Sequence, residues 1–600
     1  MVINAILIAV LLGIGYIWST RGFFSGVLHL MCVIAGGAIA FALWEPCAAA
    51  LLSVGNDFLG NIAWGAGLLI PFAVATGILT AGMNLVIRGN AKCDDVVNIA
   101  GGAVCGAGVG AITAGMVALS ISMIRSSPAL LGFTVVEYDK SGSLVRQSEL
   151  WIPVDRLVAS LYGQSSESVF STSTPLARYY PDLPSRGHLM KSGPDETTLK
   201  FAVRPDDVAL MGRYTVGESA TLDVNSLVSD TFDPGRSQKI IGLDGEPLPP
   251  SQYQIEGYII NPKGGMREKK GQVVMGPGFL TLVCIDPQSG YTQAFQPFAM
   301  ISQSKADRPG AGRWRFDGPK IFLESVGGGS NTPMGFEFVV PKNLQPFALY
   351  VKGVRISLGE FQDDGSYSPR APFSRYARIE ARDEAIRSGA LLSASTVAVT
   401  AELDKSKATP WRPSAQGSPE VVVANSIPMT LVLQKGNTGS LRLDEKNNII
   451  SGDETFYTRD VGGGRGLEKS LRVERLLVDS TTVIVAVDVS VGSPFDLLST
   501  ASSNAEGPPT LVDNLSRPQR HQCVGWVYQD ATYTKIRYTP GEPISDKGEL
   551  PALTRSRTDQ KLILIFRCSL GVNIEYFAIG NTAIKQFAPL LKLENAQHGG

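Results

Sequence analysis

This chain has almost no excess charge of either sign. Its 54 Lys and Arg residues and 55 Asp and Glu residues leave a net charge of −1 at pH 7, and no long basic block occurs. The sequence therefore gives no support to a nucleic-acid partner. Histidines are few and too scattered to indicate a metal cluster: His29, His188, His521 and His598. With no HExxH and no paired CxxC motif, we predict neither a metal site nor a cofactor.

Signatures of common catalytic sites are missing as well. The glycine-rich stretches Gly327–Gly329 and Gly462–Gly466 do not end in Gly-Lys-Ser/Thr, so flexible turns explain them better than phosphate loops. Asp444–Glu454 is acidic, but its spacing does not fit a calcium loop and favours a hairpin turn. No Gly-x-Ser-x-Gly elbow follows the membrane region. The sequence favours a protein that is not an enzyme.

Long apolar runs are absent from most of the chain, but four of them fill its first quarter. They cover Ile3–Trp18, Gly26–Trp44, Gly60–Ile87 and Ile99–Ile124. The last three reach the roughly 20 residues with which a helix crosses about 30 Å of hydrocarbon, and the first is shorter. We predict four transmembrane helices in contact with the lipid bilayer. A signal peptide over Met1–Thr20 is the weaker alternative, since it lacks a basic n-region and a cleavage site before Arg21.

The cations between the runs predict an orientation. Arg21 follows the first run, and Arg88 and Lys92 follow the third, whereas the segment Glu45–Leu59 carries no Lys or Arg. By the positive-inside rule, the first and third turns face the cytoplasm. The large carboxy-terminal region is then extracytoplasmic, although Arg125 after the fourth run opposes this weakly.

Small residues recur at every fourth position of the fourth run: Gly102, Gly106, Gly110 and Ala114. This spacing places them on one helix face and predicts close packing against another helix, or a homo-oligomer contact. Partner surfaces are offered by Gly36, Gly37, Gly65, Gly67 and Gly77. The alternative is that glycine is simply common in membrane helices. His29 in the second run is expected to be a hydrogen-bonded packing residue rather than a proton relay.

Two features, the Arg21-Gly22-Phe23 turn after the first span and the spaced glycines of the fourth, resemble the colicin V production protein (CvpA) family of bacterial inner-membrane proteins. The resemblance covers about residues 1–165. The family usually has an aspartate four residues before the first of these glycines, where this chain has Asn98, which puts any role of that aspartate in doubt. The resemblance implies a multi-pass inner-membrane protein linked to colicin V production, toxin secretion or envelope maintenance, with no established catalytic activity.

An amphipathic helix is predicted just beyond the fourth span. Its apolar positions recur at i, i+3, i+4 and i+7: Val154, Leu157, Val158 and Leu161. Pro153 suits its first turn. The helix would lie on the membrane surface or against the bundle, with Trp151 at the interface, and packing on the soluble region is an equal alternative. Gln164–Gly193, rich in Ser, Thr and Pro, is typical of a linker.

Short strand patterns fill the rest of the chain and predict an all-β sandwich region. They include Phe279–Ile285, Gly335–Val340, Phe347–Val351, Thr481–Val489, Lys561–Phe566 and Ile574–Ile579. Two passages look like copies, each with a strand, a short loop, a second strand and a closing glycine, at Gly353 and Gly580. We therefore predict two tandem β-sandwiches, whose paired-strand endings resemble bacterial Ig-like extracytoplasmic domains.

The predicted domain order follows from these patterns. It is a transmembrane bundle at 1–128, an amphipathic helix and linker at 129–196, a first sandwich at 197–361, a connector at 362–417, a second sandwich at 418–590 and a tail at 591–600. Within the connector, Arg375–Leu392 is predicted to be helical, and Ala408–Pro419 is proline-rich.

Three cysteines lie beyond the membrane region, where a disulfide is chemically allowed. Cys523 and Cys568 are the candidate pair, with Cys284 left over. Independent buried thiols are the preferred alternative.

Two functional hypotheses remain open. In the first, the bundle anchors β-sandwiches that bind another protein or the cell wall. In the second, the bundle oligomerises into a conduit or receptor for a peptide toxin or small solute, which the sandwiches regulate. The spans lack the intramembrane charges that mark most solute pathways, so the sequence favours the first.

Overall fold

The computed structural model describes residues 2–55, 57–87, 89, 94–125, 133–138, 144–146, 148–172, 174–191, 200–217, 252–266, 273–301, 313–316, 323–324, 334–361, 367–369, 373–377, 381–382, 385, 403–413, 420–432, 439–443, 447–461, 472–478, 482–514, 520–540, 543–569 and 572–593.

Four long helices open the chain: α1 (Val2–Arg21), α2 (Phe23–Ser53), α3 (Asp57–Val86) and α4 (Asp95–Ser122). All four are long and apolar enough to cross a membrane, so the four predicted apolar runs form four candidate spans. The second helix does not end at Trp44 as predicted but continues through Pro46 to Ser53. A proline is tolerated in a membrane helix because its neighbours satisfy the freed backbone groups. Glu45 consequently lies inside α2 and not in a turn.

The helices α1 and α4 are antiparallel and pack closely. A Cβ at Gly106 would lie 2.8 Å from the Cβ of Trp18 and 3.0 Å from the Cα of Gly15. Gly102 and Gly110 face α1 in the same way. The main partner of this glycine face is therefore α1, and not the five glycines of α2 and α3 that the sequence offered as partner surfaces.

The glycines of α2 and α3 serve several contacts: Gly65 lies against Ser120 of α4, and Gly37 lies against Tyr162 of the helix that follows the bundle. Gly36 lies against Thr76, and Gly67 lies against Ala48, so these residues join α2 to α3. A Cβ at Gly77 would meet open space.

Three shorter helices follow: α5 (Val154–Ser166), α6 (Leu176–Tyr179) and α7 (Leu183–Lys191). The amphipathic helix α5 packs against the bundle, where the Tyr162 hydroxyl donates to the Ile34 carbonyl at 3.1 Å. The predicted linker is wrong, because α6 and α7 are ordered helices with buried leucines. Proline favours the first turn of a helix, and Pro175 caps α6 while Pro184 lies in the first turn of α7, so residues taken as linker signals begin helices instead.

The next part of the chain is largely β. Its strands are β1 (Val136–Tyr138), β2 (Leu144–Arg146), β3 (Val208–Val216), β4 (Tyr253–Pro262), β5 (Val274–Met275), β6 (Leu280–Ile285), β7 (Thr292–Phe295), β8 (Ala299–Ile301), β9 (Arg313–Arg315), β10 (Leu323–Glu324), β11 (Met334–Pro341), β12 (Gln345–Val351), β13 (Val354–Ser357), β14 (Gly359–Phe361), β15 (Tyr367–Pro369) and β16 (Phe373–Tyr376). A six-stranded sheet has the order β16-β3-β4-β11-β8-β9, and a four-stranded sheet has the order β13-β12-β6-β7. The remaining strands form the pairs β1–β2, β5–β10 and β14–β15.

The four-stranded sheet is buried on both faces. Leu282 and Leu349 point into a core shared with the six-stranded sheet. Val283 and Tyr350, their neighbours along the strands, point the other way, into the core of the bundle beside Trp64. Successive side chains of a strand alternate between faces, so β6 is apolar at nearly every position because each face meets a hydrophobic layer. This sheet is the layer between the membrane helices and the rest of the β region.

The last part of the chain contains the short helix α8 (Thr500–Ser503) and further strands: β17 (Thr409–Trp411), β18 (Val421–Val423), β19 (Ser426–Val432), β20 (Arg442–Leu443), β21 (Ile449–Tyr457), β22 (Arg472–Arg475), β23 (Thr482–Asp488), β24 (Pro509–Asp513), β25 (Arg520–Gln529), β26 (Tyr533–Tyr538), β27 (Lys561–Ser569), β28 (Asn573–Ile579) and β29 (Thr582–Lys592). The main sheet runs β17-β29-β28-β24-β25-β26-β21-β20, and β27, β23 and β18 branch from β25. One of the sheets of the β region curls into a half-barrel. The largely β character predicted from the sequence is confirmed.

The two predicted copies share an unusual connection. The strands β11 and β12 follow one another but do not pair, since β11 pairs with β4 and β8 while β12 pairs with β6 and β13. Likewise β27 pairs with β23 and β25, and β28 with β24 and β29. The second strand of each copy continues into a hairpin whose turn holds a glycine with positive φ, Gly353 at 86° and Gly580 at 53°.

The predicted connector is not a plain linker. The strand β16 pairs in parallel with β3, and β17 pairs in parallel with β29, so its two ends each extend a sheet. The helix predicted over Arg375–Leu392 is wrong at its start, because Arg375 belongs to β16. Further along, residues 381–382 and 385 are helical, and most of the rest of that segment lies outside the described residues. Buried side chains from both halves of the β region form one continuous core.

Candidate functional site at the junction of bundle and β region

Glu45 of α2 is the point at which the bundle meets the β region. Its Oε2 accepts a hydrogen bond from Nη2 of Arg355, on β13, at 2.7 Å. Its Oε1 accepts from the hydroxyl of Tyr180, between α6 and α7, at 2.5 Å. One carboxylate of a membrane helix therefore binds two elements that lie 135 and 310 residues further along the chain.

A buried ion pair lies beside Glu45. Arg186 of α7 donates from Nη2 to Oδ1 of Asp182 at 2.7 Å, and both side chains are almost fully buried. The guanidinium carbon lies 3.8 Å from the ring centre of Tyr350 and 4.6 Å from that of Tyr180. Arginine is attracted to the faces of aromatic rings, most strongly when water is excluded. Arg186 thus joins α7 to β12 of the four-stranded sheet. We name the six residues Glu45, Tyr180, Asp182, Arg186, Tyr350 and Arg355 the junction.

The β12–β13 hairpin touches the bundle with its turn. Lys352 and Gly353 have φ values of 46° and 86°, as a tight two-residue hairpin turn requires. A Cβ at Gly353 would lie 2.3 Å from Nε1 of Trp64 in α3, so glycine is needed for space as well as for conformation. Trp64 is in turn held to α2, since its carbonyl accepts from Nε1 of Trp44 at 2.8 Å.

Burial and neighbouring charges shift the pKa values of the two tyrosines and of Arg186 in the junction. Burial raises the pKa of Tyr180 well above its ordinary value, and Tyr350 and Glu45 add to this effect. Burial also raises the pKa of Tyr350. Burial acts to lower the pKa of Arg186, but Asp182 and the two tyrosines outweigh it and raise that pKa above its ordinary value. Both tyrosines therefore stay neutral and Arg186 stays charged across the physiological range, so the junction suits fixed attachment better than proton transfer.

The Arg21-Gly22-Phe23 turn is bound by Asn98 of α4. The Asn98 side chain of α4 accepts a hydrogen bond from the backbone N–H of Phe23 at 2.8 Å. Gly22 has a φ of 92°, and a Cβ there would lie 2.5 Å from Oδ1 of Asn98. Arg88 and Lys92, on which the orientation depends, lie outside the described residues.

The remaining predicted residues lie far from the junction or have packing roles. His29 stacks on Trp18 with ring centres 4.4 Å apart, and its Nδ1 lies 3.2 Å from the Thr80 hydroxyl. Cys523 and Cys568 are buried free thiols, so the disulfide hypothesis is wrong for this structure. Burial raises the pKa of Cys523 to about 12. Among the described residues, no group of three His, Cys, Asp or Glu side chains is arranged to hold a metal ion.

Sequence reasoning missed the junction because its members are far apart along the chain. Two signals could have indicated it. The first is the apolar sequence that follows Glu45, which indicates that the helix continues past this residue. An acidic residue inside a membrane helix is a candidate functional residue. The i, i+4 spacing of Asp182 and Arg186 is that of an ion pair on one helix.

Comparison with known proteins adds no relative: no family model, no curated protein and no solved structure matches this chain. The resemblance to the CvpA family therefore stays a prediction.

Proposed function

We propose that this protein is a non-enzymatic, multi-pass protein of the bacterial inner membrane, of the CvpA type, whose β region is an extracytoplasmic module that binds a protein or another envelope component. The junction carries the proposal. A module attached to its anchor through Glu45, Arg186 and the turn at Gly353 keeps a constant height and angle relative to the bilayer, whereas a flexible tether would not. The resemblance links this role to colicin V production, toxin secretion or envelope maintenance.

The β region is proposed to consist of two related Ig-like β-sandwiches. Support comes from the connection shared by β11–β12 and β27–β28 and from the positive-φ glycines that close both copies, Gly353 and Gly580. Sandwiches of this kind commonly present binding surfaces on their edges and loops. A non-enzymatic role is supported by the use of His29, Cys523 and Cys568 in packing.

Site-specific photo-crosslinking in the native host tests the binding role. A photoreactive amino acid replaces one of three exposed residues of the β region, Val422, Tyr457 or Tyr533. We expect a discrete crosslinked adduct at one or more of these positions. The adduct should weaken when Arg355→Ala releases the hairpin from Glu45, while Arg178→Ala, which removes an exposed ion pair with Glu167, leaves it unchanged. Uncrosslinked protein at all three positions contradicts binding through these exposed parts of the β region.

A reporter fused after Gly600 tests the orientation separately. We expect activity from a reporter that works only outside the cytoplasm. Activity from a cytoplasm-only reporter instead would contradict the extracytoplasmic placement but leave the junction unaffected.

A further inference from the structure

The helix α5 buries one face against the bundle and leaves an apolar edge exposed. Val158 and Tyr162 are buried in the bundle core. At the edge of this buried face, Leu157 is 46% exposed, and just before the helix Trp151 is 62% and Ile152 is 39% exposed. Single exposed apolar residues are ordinary on proteins, but three within seven positions form a patch that needs an occupant.

The patch is attached to the first membrane helix. The backbone N–H of Trp151 donates to Oδ1 of Asn4 at 2.9 Å, which holds Trp151 beside the first turn of α1. On α1 itself, Val2 and Ile6 are exposed. Because α1 is a candidate span, its first turn lies near the level at which that span meets the membrane surface, and the hydrogen bond to Asn4 keeps Trp151 at that level.

The charges around the patch lie where a membrane interface would place them. Nη2 of Arg156 donates to Oε1 of Glu149 at 2.7 Å, and Arg146 reaches the same oxygen at 3.4 Å. These partly exposed ion pairs lie on the polar side of the segment. A helix with an apolar edge and paired polar groups beside it suits the boundary between headgroups and acyl chains, where tryptophan is favoured.

We infer that Trp151, Ile152 and Leu157 form an interfacial anchor that enters the bilayer beside the first turn of α1, with a lipid interface as its occupant. One face of α5 then binds the bundle while its outer edge binds lipid. The anchor fixes the depth at which the chain leaves the membrane, and this assignment holds whether or not the β region binds a partner.

Tryptophan fluorescence of the full-length protein tests the anchor. The protein is reconstituted in phosphatidylcholine nanodiscs with and without bromine on the upper acyl carbons. Subtracting the spectrum of Trp151→Phe from that of the wild type isolates the Trp151 signal. We expect it to be blue-shifted and to lose intensity in brominated lipid. The matched control is Trp411→Phe, because Trp411 is buried in the β region. The Trp411 fluorescence, isolated by the same subtraction, should not be quenched by brominated lipid.

Two outcomes overturn the inference. If brominated lipid does not quench the Trp151 fluorescence but aqueous iodide does, the patch lies in water. If neither quenches it, the patch is covered by another protein. A second variant keeps the test independent of tryptophan: Leu157→Asp should reduce the brominated-lipid quenching of Trp151. Val422→Asp, at an exposed apolar position of β18, should not. Unchanged quenching in Leu157→Asp also contradicts the anchor.

Discussion

The bundle makes two contrasting kinds of contact, one within itself and one with the β region. Between α1 and α4, contact depends on the absence of side chains, since Gly106 lets the two backbones approach. At the junction, contact depends on large polar and aromatic side chains, with Arg186 enclosed by two tyrosine rings and Glu45 bound by two donors.

The difference follows from the surroundings of each contact. Helices within lipid gain no hydrophobic drive by associating, so small residues that allow close van der Waals packing decide where they meet. The junction joins the bundle to a sheet, and a buried ion pair there is costly to desolvate but specifies one geometry. Shape therefore specifies the contacts within the membrane, and charge specifies the contact between the membrane helices and the β region.

The largest expected effect comes from breaking the buried ion pair. Arg186→Ala leaves Asp182 charged and buried, and removing one partner of such a pair typically costs about 3–5 kcal/mol. Thermal unfolding in detergent should show a large loss of stability. The control is Arg178→Ala, which removes an exposed pair with Glu167 worth about 0–1 kcal/mol. Equal melting temperatures for the two variants would show that the junction contributes no more than a surface ion pair.

The next effect concerns the glycine contact. Gly106→Leu forces a bulky side chain against Trp18 and Gly15, and overpacking of a close-packed core costs about 1–3 kcal/mol. The variant should accumulate poorly in membranes. Val109 of the same helix is unsuitable as a control, because it is buried in the bundle core. The better control is Val104→Leu, because Val104 is exposed on α4. If Gly106→Leu and Val104→Leu accumulate to comparable levels, the spaced glycines reflect only the high glycine content of membrane helices and not a packing requirement.

A smaller effect is expected from a single hydrogen bond at the junction. Tyr180→Phe keeps the ring on Arg186 and removes only the donor to the Glu45 carboxylate, a change worth about 1.5 kcal/mol. Hydrogen exchange should show faster opening of the β12–β13 hairpin with little change in β29. Faster exchange in both places would indicate global destabilisation rather than local release.

The smallest effect is a pH dependence in α7. Burial, with a contribution from Lys191, lowers the pKa of His188 to about 4. Since the folded pKa lies below the ordinary value of 6.5, His188 favours the folded state while neutral, and this stability is lost as the pH falls from about 6.5 towards 4. Between pH 7 and pH 6 the loss amounts to roughly 0.7 kcal/mol. In His188→Gln, the unfolding midpoint should no longer show this part of the decrease between pH 7 and pH 6. If the midpoint changes with pH as in the wild type, other groups cause the decrease.

Local patterns in the sequence predicted local structure well. Run length identified the four spans, and short apolar runs identified strands such as β6 and β23. The contacts that define the junction could not be predicted in this way, because Glu45, Arg186 and Tyr350 meet only after the chain has folded. Local signals also failed where one residue type has two uses: the prolines at 175 and 184 begin helices, and Pro46 lies within one.

The double burial of the four-stranded sheet has a consequence for biogenesis. Leu282 faces one hydrophobic layer and Val283 faces another, so the sheet is complete only when both layers are present. The helices α1–α4 precede β6 and β12 along the chain, and the surface on which the sheet forms is therefore synthesised first. The inserted bundle can act as the template for this sheet. In a chain whose membrane insertion fails, the apolar strands β6 and β12 would stay exposed and prone to aggregation.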